Sequence, residues 1–151
     1  MQVREKGLGD AALSALVAAV AAALAGRATQ LVVNGRPDLA ALHGAAGVQL
    51  PEEGLPIGGV RKAFPGLGIG ASCHSLEAAR RAEDAGASWI VLGPVFATPG
   101  KEHRALGLPM LEAAAAQTSV PIHAVGGMRP ENARQVADAG ARGILAIRAF
   151  V

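Results

Sequence analysis

Short apolar runs bounded by glycine or proline alternate with helical patterns along nearly the whole chain. Most runs are β-branched or aliphatic, which is typical of parallel strands buried on both faces. An alternation of strands and helices predicts an α/β protein whose functional loops lie at the carboxyl ends of the strands. Seven runs are predicted as strands: Gln2–Glu5, Gln30–Asn34, Gly47–Leu50, Leu67–Ser72, Trp89–Gly93, Pro121–Val125 and Gly143–Ile147.

Helical patterns fill the segments between these runs. Asp10 is expected to cap the first helix, and Pro130 suits the first position of the last one. Gly26, Gly86 and Gly140 suit left-handed positions just after a helix. The predicted helices are Asp10–Ala25, Leu39–Leu42, Ile57–Phe64, Ser75–Ala85, Leu108–Gln117 and Pro130–Ala139.

The number of alternations predicts a barrel rather than a small doubly wound sheet. Seven strands are one short of a (β/α)8 barrel. We therefore expect residues 1–151 to form a single, incomplete TIM-barrel-type domain that lacks a first strand-helix unit and a last helix. Open sheet edges invite pairing, so a homodimer or a partner covering the gap is expected.

Composition excludes several classes of partner. The chain has a net charge of +2 and 3% aromatic residues, so it lacks the basic stripe and stacking platforms of a nucleic-acid-binding protein. The longest apolar stretch, Ala11–Ala25, is too short for a membrane span. The single cysteine, Cys73, fits a reducing cytoplasm and is expected to be a small buried hydrophobe.

Two glycine-containing loops indicate anion binding. One is the segment LGPVFATPGK at 92–101, and the other is Gly126-Gly127. Loops of this kind offer backbone N–H groups, the Thr98 hydroxyl and the Lys101 ammonium at the mouth of a parallel sheet. The sequence therefore suggests phosphate handling.

Charged residues in the first strand have two interpretations. Arg4 and Lys6 alternate with Val3 and Glu5, so they share one face. Charge that lines a barrel is costly unless it is paired, which favours ligand binding. The alternative is an interior salt bridge with Glu5 or a neighbour.

Among the histidines, His74 follows a strand and is a candidate proton shuttle, with a capping or core hydrogen-bonding role as the alternative. His123 lies inside a strand and is expected to belong to the core. His43 and His103 have no nearby constellation that would suit zinc.

Several motifs in order resemble the thiamine phosphate synthase/TenI family of (β/α)8 barrels. The ending AIRAF is also similar to the TenI-like domain fused to some Nudix hydrolases. The motifs are QVREK at 2–6, NGRPDLA at 34–40, GVQL at 47–50, SCHS at 72–75, GPVF at 93–96 with Thr98 and Lys101, and AVGG at 124–127.

The resemblance implies ligands that are small phosphorylated thiamin precursors. In the synthase, a pyrimidine diphosphate ionises, the thiazole phosphate captures the cation, and Mg²⁺ helps to neutralise the departing pyrophosphate. Gly127 matches a thiazole-phosphate contact, and His74 and Lys101 are the catalytic candidates. Matching the pyrophosphate-binding set are Gln2, Arg4, Lys6, Asn34, Ser72, Thr98 and Lys101.

Two departures concern the metal. Where the family pattern has the two Mg²⁺-binding aspartates, this chain has Gly35 and Gly54. Glycine has no side-chain ligand. Glu52 and Glu53 lie nearby, with longer side chains at shifted positions, and Mg²⁺ is expected only if synthase activity is retained.

Three more departures concern the ligand. Gly100 stands for the second Thr of the Thr-x-Thr-Lys pattern, and Arg148 replaces a phosphate-binding serine. Arg148 could bind phosphate itself or cap the open barrel. Pro94 stands where the TenI tautomerase has a histidine.

The sequence leaves three functions open. The preferred one is a TenI-like thiamin biosynthesis protein that binds thiazole phosphate or thiamin phosphate. The second is an active synthase, a transferase with relocated metal ligands. The third is a non-catalytic barrel fragment or partner subunit. Whether the chain is an enzyme, and whether transferase or isomerase, stays open.

Overall fold

A computed structural model of the chain describes residues 1–98 and 102–146. The chain divides into two compact units, Met1–Gly70 and Ala71–Val151. The first contains β1 (Gln2–Val3), α1 (Asp10–Leu24), β2 (Val32–Asn34), α2 (Pro37–Leu42), β3 (Gly47–Leu50) and α3 (Ile57–Ala63). Strand β4 (Gly68–Cys73) contains the boundary. The second contains α4 (Leu76–Asp84), β5 (Trp89–Leu92), a 3₁₀ turn (Glu102–Arg104), α5 (Gly107–Gln117), β6 (Ile122–Val125), α6 (Pro130–Asp138) and β7 (Gly143–Leu145).

The strands of the first unit pair in chain order and in parallel. Val3 is opposite Val33, and Val33 is opposite Val48. All three side chains are buried in one core cluster, together with Leu13 and Val17 of α1. Leu13 and Val17 are four residues apart, which places their side chains on one face of the alanine-rich helix. Helix α1 is held to the sheet by an apolar face that also includes the partly buried Leu16, Val20 and Leu24.

The second unit repeats this arrangement. Strands β5, β6 and β7 are parallel, with Leu92 opposite Ala124 and Ala124 opposite Ile144. Leu92 and Ala124 are fully buried, as are Leu111 of α5 and Val136 of α6. Ile144 of β7 is 46% exposed.

The predicted alternation is confirmed, with seven strands and six α-helices in the described residues. The cysteine prediction is confirmed as well, because Cys73 is buried. Gly26, Gly86 and Gly140 have φ values of 73°, 93° and 91°, as expected for helix-terminating glycines.

Some boundaries differ from the prediction for local reasons. Strand β1 ends at Val3 instead of Glu5. The exposed charged residues 4–6 follow directly after Val3. The prediction that Asp10 caps α1 is wrong: Gly9 is the cap, and Asp10 is the first helical residue. Helix α2 begins at Pro37, because a proline fits the first turn, where its missing N–H has no partner to lose. The predicted end of β7, Ile147, lies outside the described residues.

None of the helices in the two described ranges has the length and apolar character needed to cross a membrane.

Candidate functional site

A row of polar side chains lies on one face of the strands in the first unit. Since Val3, Val33 and Val48 point into the core, strand alternation puts Gln2 on the opposite face of β1 and Asn34 on the opposite face of β2. Arg4 and Asn34 are the next residues after the paired Val3 and Val33. Of the sequence-predicted residues, Arg4 and Asn34 therefore lie at the carboxyl ends of β1 and β2, Gln2 lies at the start of β1, and Lys6 follows in the exposed segment after β1.

The chain turns sharply after Asn34. The Gly35 N–H donates to the Gln49 carbonyl at 2.9 Å, and the Asn34 side-chain amide approaches the same oxygen at 3.4 Å. Gly35 has a φ of +69°, a left-handed conformation that glycine adopts without strain. Gln49 itself is 2% exposed and is the buried polar residue of the described core. The Asn34 side chain thus reaches from the end of β2 toward β3.

Arg36 connects this turn to two carboxylates. Its guanidinium donates to both oxygens of Asp38, at 2.9 and 2.6 Å, and to Asp10 at 2.6 Å. These hydrogen bonds raise the pKa of Arg36 well above its usual range and lower the pKa of Asp38. Arg36 therefore forms ion pairs with carboxylates at the starts of α1 and α2.

The residues at the implied metal position do not fit Mg²⁺. Gly35 and Gly54 offer no side-chain oxygen, and magnesium needs near-octahedral oxygen ligands. A Cβ atom at Gly54 would lie 2.9 Å from the Pro51 carbonyl oxygen, so the turn would have to shift to admit any larger residue. Glu52 and Glu53 are both exposed. Within residues 1–98 and 102–146, no three His, Cys, Asp or Glu side chains form a group that could hold a metal.

In the second unit, the loops after β5 and β6 interlock. The Val95 N–H donates to the Val125 carbonyl at 2.8 Å, and the Phe96 N–H donates to the Gly126 carbonyl at 3.2 Å. A Cβ atom at Gly127 would lie 2.7 Å from the Cβ of Phe96. The predicted residues Thr98 and Gly127 therefore belong to two loops in direct contact.

Ser72 and His74 flank the end of β4. The Gly93 N–H donates to the Cys73 carbonyl at 3.2 Å, which joins this strand end to the end of β5. Ser72 is half-buried and His74 is exposed. Ser75 caps α4 by accepting a hydrogen bond from the Ala78 N–H at 3.1 Å, so His74 occupies the single position between strand and cap.

His123 is half-buried on β6, opposite Val91 on one side and Gly143 on the other. Burial lowers the pKa of its imidazole, so the ring is neutral at pH 7. A Cβ atom at residue 143 would lie 2.8 Å from Nδ1 of this ring. Glycine at 143 thus leaves the space that the imidazole occupies.

Two of the predicted site residues, Lys101 and Arg148, lie outside the described residues. One residue that contacts the Gly127 loop, Asn132, was not predicted from the sequence. Asn132 contacts the Gly127 carbonyl and the backbone of Arg129. Its signal was available, because a polar residue three positions after a helix cap is the pattern of a capping box.

Strands and helices in alternation, with polar side chains at the carboxyl ends of the strands, define the class of (β/α)-barrel-type proteins. The family profile described as thiamine monophosphate synthase matches residues 1–150. The chain belongs to this family, which is a family of thiamine biosynthesis. The predicted resemblance is confirmed.

Individual relatives agree with the family. A thiamine-phosphate synthase of Methanoculleus marisnigri is 37% identical over 154 residues, covering 100% of this chain and 73% of that protein. The thiamine biosynthesis bifunctional protein ThiM/ThiE of Symbiobacterium thermophilum is 38% identical, covering 100% of this chain and 32% of its own length. A solved structure of thiamine phosphate pyrophosphorylase from Pyrococcus furiosus is 33% identical with a TM-score of 0.91, covering 98% of this chain and 72% of that one. The predicted TIM-barrel fold class is confirmed.

Proposed function

We propose that this protein binds phosphate esters of thiamin biosynthesis, thiazole phosphate or thiamin phosphate, without needing Mg²⁺, and that it forms little or no thiamin phosphate. The observation that carries the proposal is that glycine stands at 35 and 54, where the family resemblance implies two metal carboxylates, while the chain has the basic residues Arg4, Lys6 and Lys101. Family membership supports the ligand class.

In this proposal, each part of the site has a chemical role. Arg4 forms two parallel hydrogen bonds with a phosphate, since a guanidinium matches two phosphate oxygens. Lys6 and Lys101 add positive charge, and the Gly127 backbone approaches the phosphate ester closely. Hydrogen bonds come from the remaining members of the set: Gln2, Asn34, Ser72 and Thr98.

Two further residues have roles in this proposal. Arg148 contributes in place of the family's serine. His74, directly after β4, is the proposed proton-transfer residue.

The alternative is an active synthase, and the names of the relatives favour it. Departing pyrophosphate carries several negative charges that must be neutralised in the transition state. With Gly35 and Gly54 in place of carboxylates, Glu52 or Glu53 would have to supply the metal ligands. A non-catalytic partner subunit is the third possibility, and absence of phosphate-ester binding would favour it.

A calorimetric titration with thiamine phosphate tests the proposal. Wild type should bind, and Arg4→Ala should weaken binding by about tenfold or more, as expected for loss of a charge-assisted pair worth ~1.5–3 kcal/mol. Arg27→Ala is the matched control, because it also removes one guanidinium, which here donates to the Ala23 carbonyl at the end of α1. Equal affinity of wild type and Arg4→Ala would contradict the proposed site.

The ligand class also bears on location and assembly. Phosphorylated thiamin precursors and a single buried cysteine support a cytoplasmic protein, and we include that location in the proposal. A homodimer or a partner at the sheet edges β1 and β7 is part of it too, because unpaired strand edges favour association. Sedimentation velocity with and without thiamine phosphate tests the assembly.

A further inference from the structure

Asn132 joins the start of helix α6 to the glycine loop that precedes it. Its side-chain amide donates to the Gly127 carbonyl at 2.9 Å, and its Oδ1 accepts from the Arg129 N–H at 2.9 Å. The Asn132 N–H in turn donates to the Arg129 carbonyl at 3.2 Å. One half-buried side chain thus holds both the helix start and the loop.

The loop is also held from the other side. The Phe96 N–H donates to the Gly126 carbonyl, and the space beside Gly127 is closed by Phe96 and by the Ala97 carbonyl, which would lie 2.9 Å from a Cβ atom at residue 127. Gly126 and Gly127 have φ values of +96° and +64°, conformations that other residues adopt only with strain. The two glycine carbonyls therefore have fixed partners.

Fixing a carbonyl fixes the N–H of the same peptide. In a planar trans peptide, the C=O of one residue and the N–H of the next point in opposite directions. Both peptides of this loop are trans. Phe96 therefore sets the direction of the Gly127 N–H, and Asn132 sets the direction of the Met128 N–H. Within residues 1–98 and 102–146, neither of these two N–H groups donates to a backbone carbonyl.

We infer that Asn132 is a positioning residue of the phosphate site: by holding the Gly127 carbonyl, it orients the Met128 N–H toward the phosphate of a bound thiamin-type ester. This inference rests on the proposed function. The inference adds Asn132, the third residue of α6, to the site. Asn132 contacts the Gly127 backbone and affects the ligand only through that backbone.

A helix-capping role alone is the competing explanation, and a matched variant separates the two. Asn132→Ala removes the contact to the loop and weakens the start of α6. Arg134→Gly weakens the same helix, because glycine is unfavourable in an exposed helix interior, and leaves the loop contact in place. Arg134 is exposed and pairs with Asp138 at 2.9 Å.

The experiment is a calorimetric titration of wild type, Asn132→Ala and Arg134→Gly with thiamine phosphate, together with NMR order parameters of the Met128 amide without ligand. We expect Asn132→Ala to bind ~10-fold more weakly, which corresponds to about 1.4 kcal/mol and to the loss of roughly one hydrogen bond, and Arg134→Gly to bind like wild type. The Met128 order parameter should fall from about 0.85 to below about 0.6 in Asn132→Ala only.

Each other result decides against the inference. Equal weakening in both variants would mean that Asn132 only stabilises the helix. Wild-type affinity in Asn132→Ala would overturn the inference and leave the proposed function standing. Failure of wild type itself to bind thiamine phosphate would overturn the proposed function, and the inference with it.

Discussion

The Arg36 guanidinium, directly after Gly35, donates to both carboxylate oxygens of Asp38, at 2.9 and 2.6 Å. A third hydrogen bond, to Asp10, ties the start of α1 to the same arginine. Partly exposed ion pairs are individually weak. A planar guanidinium can nevertheless form hydrogen bonds with two carboxylates at once in a geometry that a lysine ammonium cannot match.

We therefore predict that Arg36→Lys lowers the free energy of unfolding by about 0.5–1 kcal/mol at pH 7 and low salt. The pKa of Asp38 is lowered in the folded state, so this stabilisation is present above the unfolded carboxyl pKa of ~3.9 and is lost as pH falls through the folded value. Urea titrations at pH 7 and below pH 3 check this. A difference between the proteins that is as large in acid as at pH 7 would contradict it.

The neutral imidazole of His123 also makes stability fall in acid, but at a higher pH than Asp38 does. Burial lowers its pKa, so the unfolded chain takes up a proton first as pH falls through about 6.5, and stability declines below that pH. His123→Val should show a shallower loss of unfolding free energy between pH 7 and pH 5. His103→Gln, which removes an exposed histidine, is the control and should keep the wild-type slope. Identical slopes in wild type and His123→Val would disprove the assignment.

The glycine at 127 should be irreplaceable for two reasons. Alanine there would have both an unfavourable positive φ and a Cβ atom 2.7 Å from Phe96. Gly86→Ala is the matched control, since its φ is +93° and nothing lies within 4 Å of the added atom. We predict a stability loss of about 1 kcal/mol for Gly86→Ala with unchanged thiamine phosphate binding, from the conformational cost alone.

Gly127→Ala should lose more stability than this control and should bind thiamine phosphate at least about tenfold more weakly, the factor that 1.4 kcal/mol represents. Thermal unfolding and calorimetry measure the two effects. Equal behaviour of the two variants would show that Gly127 has no special place in the site.

The elements that sequence reasoning predicted best have strong signals at both ends. Strand β3, Gly47–Leu50, has the predicted bounds because glycine precedes its apolar run and Pro51 ends it. The start of α2 was missed by two residues, since Pro37 was treated as loop although its fixed φ suits a first helical turn. Local chemistry was sufficient where one signal dominated, and it failed where a residue suited two roles.

The site was less accessible from the sequence than the fold. Motif order gave the candidate residues, but the Asn132–Gly127 contact and the interlocked Phe96 and Gly126 backbones depend on how two loops meet. No propensity or spacing encodes that geometry. The pairing of Arg36 with Asp10 likewise joins residues 26 positions apart and became visible only in the structure.

The central claim is phosphate-ester binding without a metal, and one titration tests it most directly. Thiamine phosphate should bind with the same affinity, within about twofold, in EDTA and in excess Mg²⁺, because Gly35 and Gly54 supply no metal ligand. With both substrates of the synthase present, thiamin phosphate formation should be absent or orders of magnitude below that of a synthase with both aspartates. Strongly Mg²⁺-dependent binding, with rapid coupling of the pyrimidine diphosphate to thiazole phosphate, would contradict the account and make Glu52 or Glu53 the metal ligand.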